Sequence, residues 1–323
     1  MTTSNFSQGK LSSSHWNQEG PKLIEQLQQA IRAVIYNKKK EAELALICFL
    51  AQGHLLIEDI PGMGKTTLVK ALFQLLGLKF SRIQFTSDLL PSDILGTSIY
   101  RPNEGAFEIR KGPLFSELIL ADELNRANPK TQSALLQAME ERSITIDRET
   151  FFLSPLFFLV ATQNPRSHLG TFPLPESQLD RFLMRIELGY PGESAETELI
   201  QRVARKDESE PLEPLMNQEQ WIQTRAQVAS ITVCPAVASF IYQILRRSRQ
   251  ETDHRYALST RSGIALAASA QAAAFLAGRN FVIPEDVQAT APSVLNHRIH
   301  GGERSTAESQ KKILEWLHAI EIP

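Results

Sequence analysis

The sequence predicts an α/β protein: a mostly parallel, five-stranded sheet between helices, followed by a second domain made only of helices. Three observations carry this. Short apolar runs of strand length alternate with helix-period segments through the first part of the chain, the pattern of a parallel sheet covered on both faces. One run breaks into a glycine loop and then a helix, at His54–Thr67, HLLIEDIPGMGKTT. From Ser194 onward strand signals vanish. The expected division is a loose tail over 1–20, an α/β core over 21–190 and a helical lid over 191–323. A chain of 323 residues has room for roughly two domains and buries about three quarters of its unfolded surface.

Composition narrows the classes of function. With 34 basic and 36 acidic residues the net charge is −2, which offers no electrostatic footprint for nucleic acid or a membrane surface. Cys48 and Cys234 lie far apart in apolar helical patterns, so two buried thiols in a reducing compartment are expected rather than a disulfide. The start, MTTSNFSQGK, has no apolar leader core, and no run is long enough to span a bilayer. The expectation is a cytoplasmic protein.

Taken in order, Pro21 opens a helix with Leu23, Ile24, Leu27, Ile31, Val34 and Ile35 on one face, and Asn37 breaks it. Lys38–Lys40 reads as the solvated start of a second helix, Glu41–Ala51, rather than as a phosphate grip. The strand His54–Ile57 and the glycine loop follow, then a helix Thr66–Leu76 stopped by Gly77. Leu78–Phe85 alternates as a second strand. Thr97–Tyr100 and Ala106–Ile109 flank Pro102–Gly105 as a hairpin inserted outside the sheet core.

The strand Glu117–Asp122 ends in two acids, and a helix begins with Asn128 as cap and Pro129 behind it. A second hairpin is expected from Ser143–Ile146 and Thr150–Leu153. A strand at Phe157–Thr162, a short helix at Pro175–Arg181 and a strand at Phe182–Leu188 complete the core. In the second half, helix starts are read at Ser194, Asn217, Pro235, Ser259, Pro284 and Ser305, after the charged, proline-rich connector Lys206–Pro214.

Strand, glycine loop and helix together turn backbone N–H groups and a helix N-terminus toward one anion. In the loop Asp59, Ile60, Pro61, Gly62, Met63 and Gly64, glycines 62 and 64 allow positive φ. Lys65 then reaches the β- and γ-phosphates and the Thr66 hydroxyl ligates Mg²⁺. A strict phosphate loop has glycine where Asp59 stands. Asp122 is expected to share the metal with Thr66, and Glu123 to polarise the attacking water. Asn164, at the tip of the next strand, can donate to a γ-phosphate oxygen or orient that water. Arg181 sits at a helix end from which a guanidinium can leave its own subunit; its structural alternative is a pair with Asp180. Arg261, opening a lid helix, is placed to close over the phosphates, its alternative being an ordinary surface arginine.

Asp122–Met139 (DELNRANPKTQSALLQAM), ATQNP at 161–165, LPESQLDRF at 174–182 and LSTRSGIALAASAQ at 258–271 together resemble the MoxR family of AAA+ ATPases, in the helix-2-insert branch, from about residue 21 to nearly the end. The resemblance implies ATP and Mg²⁺ as cofactors. It implies a Walker A loop from Asp59 through Thr66 and Thr67, Walker B acids at Asp122 and Glu123, sensor 1 at Asn164, an arginine finger given in trans by Arg181 and sensor 2 at Arg261. The first hairpin resembles the helix-2 insert and the second the pre-sensor-1 insert. It further implies a homo-oligomeric, hexameric ring, a chaperone-like role in maturing protein complexes, including metal-cofactor insertion, and a partner carrying a von Willebrand A domain. A metal-chelatase ATPase subunit and a nucleic-acid-remodelling ATPase are the competing readings. Two positions depart from the family: Asn37 stands where glycine is usual, and Ser259-Thr260-Arg261 replaces Ser-Pro-Arg.

Overall fold

The structure is a computed structural model. It describes residues 25–27, 29–30, 38–60, 62–164, 170–190, 192–193, 196–197, 201, 213–251, 257–299 and 306–321. The expected tail, Asn37, the helix start at Ser194 and nearly all of the connector lie outside these residues. Of the helix expected from Pro21, residues 25–27 and 29–30 are described, and they are helical.

In chain order the core holds α1 (Lys39–Leu50), β1 (Leu55–Glu58), α2 (Lys65–Leu76), β2 (Phe80–Gln84), α3 (Pro91–Leu95), the hairpin β3 (Gly96–Arg101) and β4 (Ala106–Lys111), and β5 (Leu118–Asp122). Next come α4 (Pro129–Glu141), the hairpin β6 (Ser143–Ile146) and β7 (Glu149–Phe152), β8 (Phe158–Gln163), α5 (Glu176–Leu179) and β9 (Met184–Ile186). The lid holds α6 (Gln218–Ser230), α7 (Pro235–Glu251), α8 (Thr260–Leu276), α9 (Pro284–Leu295) and α10 (Thr306–Ala319).

The five core strands form one wholly parallel sheet in the order β2-β5-β8-β1-β9, and each hairpin is a separate two-stranded ribbon. Side chains on a strand alternate between its two faces. Leu55, Ile57, Leu118, Leu120, Phe158 and Val160 therefore join one buried cluster with α1, α2 and the lid. Leu56, Ile119, Ala121, Leu159 and Ala161 join a second, with α4 and the hairpin roots. Both faces are covered, which is why these strands read as unbroken apolar runs.

Local signals explain the element ends. Asn128 caps α4 by accepting from Thr131 N at 3.0 Å, and Asn217 with Gln220 closes a capping box on α6. Gly77 ends α2 in the left-handed region at φ 63°. At the root of the first hairpin, a methyl on Gly96 would lie 2.4 Å from Arg110 O, and one on Gly112 would lie 2.4 Å from Ile94 O. Only glycine lets the two ends of that insert approach backbone to backbone. The short helix α3 in front of it was not expected from sequence; Pro91 opens it and the Asp93 carboxylate accepts from Leu90 N.

Two expectations need correction. Cys48 is buried in α1, but Cys234 is exposed just before α7, and both thiols are free. The apolar residues after Cys234 belong to the helix face and do not cover the residue ahead of it. Of the lysine run, Lys39 and Lys40 are exposed as expected, whereas the half-buried Lys38 donates to the carbonyls of Leu188 and, at 3.0 Å, Tyr190. Among the described residues no helix is long and apolar enough to cross a membrane.

The lid is not loosely tethered. Trp221 of α6 is fully buried, meets Phe49 of α1 edge-on at 5.1 Å and donates Nε1–H to Leu76 O at 2.9 Å. α8 packs on α1 as well as on α6, α7 and α9. Trp221→Ala should therefore cost about 3–5 kcal/mol. Trp221→Phe, which keeps most of the packing but strands the Leu76 carbonyl, should cost about 1–3 kcal/mol. Urea unfolding of both variants checks this; equal midpoints for Trp221→Phe and the parent would show that the hydrogen bond contributes nothing.

Candidate functional site

At the carboxyl edge of the sheet, β1 runs into the glycine loop and α2. Pro61 lies outside the described residues; Ile60 and Met63 are half-buried and Thr67 is exposed. Gly62 and Gly64 take φ of 87° and 80°. A methyl at either would meet nothing within 4 Å, so conformation, not room, selects glycine there, and the loop backbone faces open space. α2 begins without a side-chain cap, leaving the N–H groups of Lys65, Thr66 and Thr67 at the positive end of a twelve-residue helix. Lys65 Nζ donates to Asp59 O at 2.5 Å. Partial burial lowers the pKa of Lys65, against the opposing pull of Asp59, Asp122, Glu123 and Glu58.

The next two strand ends lie alongside. Leu120 pairs with Val160 and Ala121 with Ala161, and Val160 and Ala161 pair with Leu55 and Leu56. One residue further on, Asp122 and Thr162 are brought side by side. Thr162 Oγ1 donates to Asp122 Oδ1 at 2.5 Å and accepts from Glu123 N at 3.0 Å. Arg82 of β2 takes the other oxygen, Oδ2, at 2.7 Å. Asp122 is thus a buried, doubly held carboxylate. Glu123 adopts φ 57°, ψ 47°, uncommon for a residue with a side chain and frequent where a site over-determines the backbone. Its carboxylate accepts from Gln84 at 3.0 Å and pairs with Arg126 at 3.2 Å. Asn164 follows β8, half-buried, and its carbonyl accepts from Asn125 Nδ2 at 3.1 Å.

Arg181 and Arg261 are elsewhere. Both reach Glu140 at the end of α4, Arg181 Nε at 2.8 Å and Arg261 Nη2 at 3.0 Å. The two arginines hold the Glu140 pKa below the usual carboxylate range, Arg261 contributing the largest share. Arg181 does not pair with Asp180. That acid accepts from the nearly buried Arg298 at 2.8 Å and from Arg261 at 3.5 Å. Together they line a cleft of about 350 Å³ that also touches Gly53 and His54, the residues ahead of β1. Four guanidiniums, of Arg142, Arg181, Arg261 and Arg298, stand there against two carboxylates, of Glu140 and Asp180.

The glycine loop is at the other end of β1, about 13 Å along the strand at 3.3 Å per residue. Arg261 therefore does not close over the loop of its own chain, because α8 docks on α1 with its first turn against the end of α4. Glu140, Thr162, Arg82 and Arg298 went unnoticed in the sequence. Of these only Thr162 carried a signal, as a lone hydroxyl inside an apolar strand that ends at the site.

The profile of the ATPase family associated with various cellular activities (AAA) matches residues 54–184, and that of the AAA lid domain matches 246–315. The uncharacterised protein YeaC of Bacillus subtilis is 41% identical over 93% of this chain and 95% of its own. Chaperone MoxR1 of Mycobacterium tuberculosis is 36% identical over 83% of this chain and 73% of its own. A crystal structure of a Cytophaga hutchinsonii protein superposes with a TM-score of 0.84 at 35% identity, covering 97% of this chain and 98% of that one. With its parallel sheet, its helical lid and these relatives, the chain belongs to the MoxR-type AAA+ ATPases.

Proposed function

We propose that the protein is a ring-forming motor that hydrolyses Mg-ATP in sites shared between neighbouring subunits and uses the resulting motion to remodel or mature protein complexes. The observation that carries this is the division of the site's parts between the two ends of the sheet. Loop, Thr66, Asp122, Glu123 and Asn164 gather at the carboxyl edge, while Arg181 and Arg261 stand at the other end beside an excess of positive charge. A ring brings one end of each subunit to the opposite end of the next.

The roles follow from local chemistry. The left-handed glycines and the start of α2 offer N–H donors to a triphosphate, and Lys65 adds a point charge. Thr66 and Asp122 suit magnesium, which keeps several waters and takes only one or two protein groups; when bound it supplies positive charge to the β- and γ-phosphates. A hydroxyl and a carboxylate are the hard oxygen donors this ion takes, and Thr162 and Arg82 hold the Asp122 carboxylate in one orientation. Glu123 and Asn164 orient the water, and a neighbour's Arg181 answers charge that grows in the transition state. Arg261, sharing Glu140 with Arg181, is assigned to the same neighbouring site. The assembly is taken to be a hexamer in the cytoplasm, with a von Willebrand A domain protein as partner. The chaperone reading is supported by the M. tuberculosis relative; the near-zero net charge disfavours nucleic-acid remodelling.

Lys65→Ala should lose nucleotide binding, whereas Glu123→Gln should bind ATP yet scarcely turn it over. Calorimetric binding and phosphate release separate the two, and wild-type turnover in Glu123→Gln would remove Glu123 from the water. Arg181→Ala should lose about 10³-fold or more in hydrolysis with little change in ATP affinity. Mixed with Glu123→Gln under proven subunit exchange, it should regain activity, because some interfaces then pair an intact Glu123 with an intact Arg181. No recovery would place Arg181 within its own subunit's chemistry or in a structural pair with Glu140.

A further inference from the structure

Asp59 occupies the position where a strict phosphate loop has glycine, and its backbone does not ask for one. The residues with a side chain and positive φ are Gln52, Glu123, Arg142 and Asp147 among those described. The Asp59 carboxylate makes three backbone contacts: Oδ2 accepts from Leu188 N at 2.9 Å and Gly189 N at 2.7 Å, and Oδ1 from Ile60 N at 2.8 Å. Its own N–H donates to Gln163 O at the end of β8, at 3.2 Å. Its carbonyl is the acceptor for Lys65. Leu188 and Gly189 follow β9, the last strand of the sheet, and Lys38 binds the Leu188 and Tyr190 carbonyls.

We infer that Asp59 is a positioning residue that ties the core–lid hinge to the phosphate loop, so that loading the loop is felt where the lid begins. The inference rests on the reading that this loop takes a nucleotide. The Lys65 ammonium now bonds to a neutral carbonyl. A phosphate oxygen carries charge and makes the stronger partner, so a nucleotide draws the lysine off Asp59 O. The peptide that loses that cation is the one whose side chain holds the two hinge N–H groups. A glycine at this position would keep the loop's fold but leave Leu188 N and Gly189 N without their acceptor. The departure from the strict motif thus becomes a connection that the motif itself lacks.

The test uses the full chain with one dye on the exposed native thiol Cys234 of the lid and one on Ser133→Cys, an exposed position of α4. Labelled subunits are diluted into unlabelled ones so that only distances within a subunit are read. Wild type should change its energy transfer when a slowly hydrolysed ATP analogue and Mg²⁺ are added. Asp59→Gly should bind the analogue with its affinity within about threefold of wild type while that change falls by more than half. Turnover should then fall about tenfold in kcat with KM little moved, the signature of a group acting after binding. Asp59→Asn, which retains one acceptor oxygen and most of the shape, should fall between the two and serves if the glycine variant folds poorly. Wild-type transfer change and kcat in either variant would overturn the inference, as would a lid that stays still in wild type while the analogue binds. A wild type that fails to bind the analogue overturns the nucleotide reading first, and this inference with it.

Discussion

The hydroxyl of Thr162 holds the carboxyl edge together, because it donates to Asp122 and accepts from the backbone of Glu123. It can do so only in one register of β5 against β8. Sliding β8 by one residue would turn Thr162 to the other face of the sheet and put Ala161 or Gln163 in its place, and sliding β5 would do the same to Asp122. The register is in turn held by packing on both faces, Leu118, Leu120, Phe158 and Val160 on one side and Ile119, Ala121, Leu159 and Ala161 on the other. Apolar burial therefore sets the position of a carboxylate to within a hydrogen bond.

The amino end of the sheet works by different physics. Glu140 is 40% exposed on its side chain and is shared by two arginines, so its ion pairs contribute little to stability. Their value is orientation: one acid keeps two long, flexible cations on the same small area. Arg298 behaves otherwise. It is nearly buried and donates to Asp180 as well as to the carbonyls of Leu183 and Phe182, at 3.1 and 2.8 Å. It fastens the end of α9 to the chain entering β9, so the lid is anchored beside the arginines.

What could be read in the sequence was what is local. The glycine loop, the paired acids at the end of β5 and the asparagine after β8 announce themselves because a strand, a turn and a residue type suffice. The caps at Asn128 and Asn217 and the stop at Gly77 are equally local. Arg261 was recognisable as a residue but not in its place, because the packing of α8 on α1 and the pairing of its first turn with Glu140 join parts of the chain more than a hundred residues apart. Glu140 had no signal at all: one of two adjacent acids at a helix end, it acquires meaning only when α4, α5 and α8 meet. Cys234 escapes the apolar pattern that follows it because it is the residue immediately before α7, ahead of the buried helix face.

The root of the first hairpin has a consequence for how such a chain can change over generations. Gly112 N donates to Leu95 O at 3.2 Å, and the backbones at 96 and 112 touch, so the strands between them branch off a closed junction. Lengthening a branch of this kind costs only about 0.6 kcal/mol of closure entropy per doubling, and none of the sheet's buried residues lie within it. Tyr100 and Phe107, whose rings meet at a tilt 5.2 Å apart and are both exposed, can be exchanged without disturbing the glycine loop or the acids. The insert is a part that lineages can redraw while the sheet beneath it is inherited unchanged.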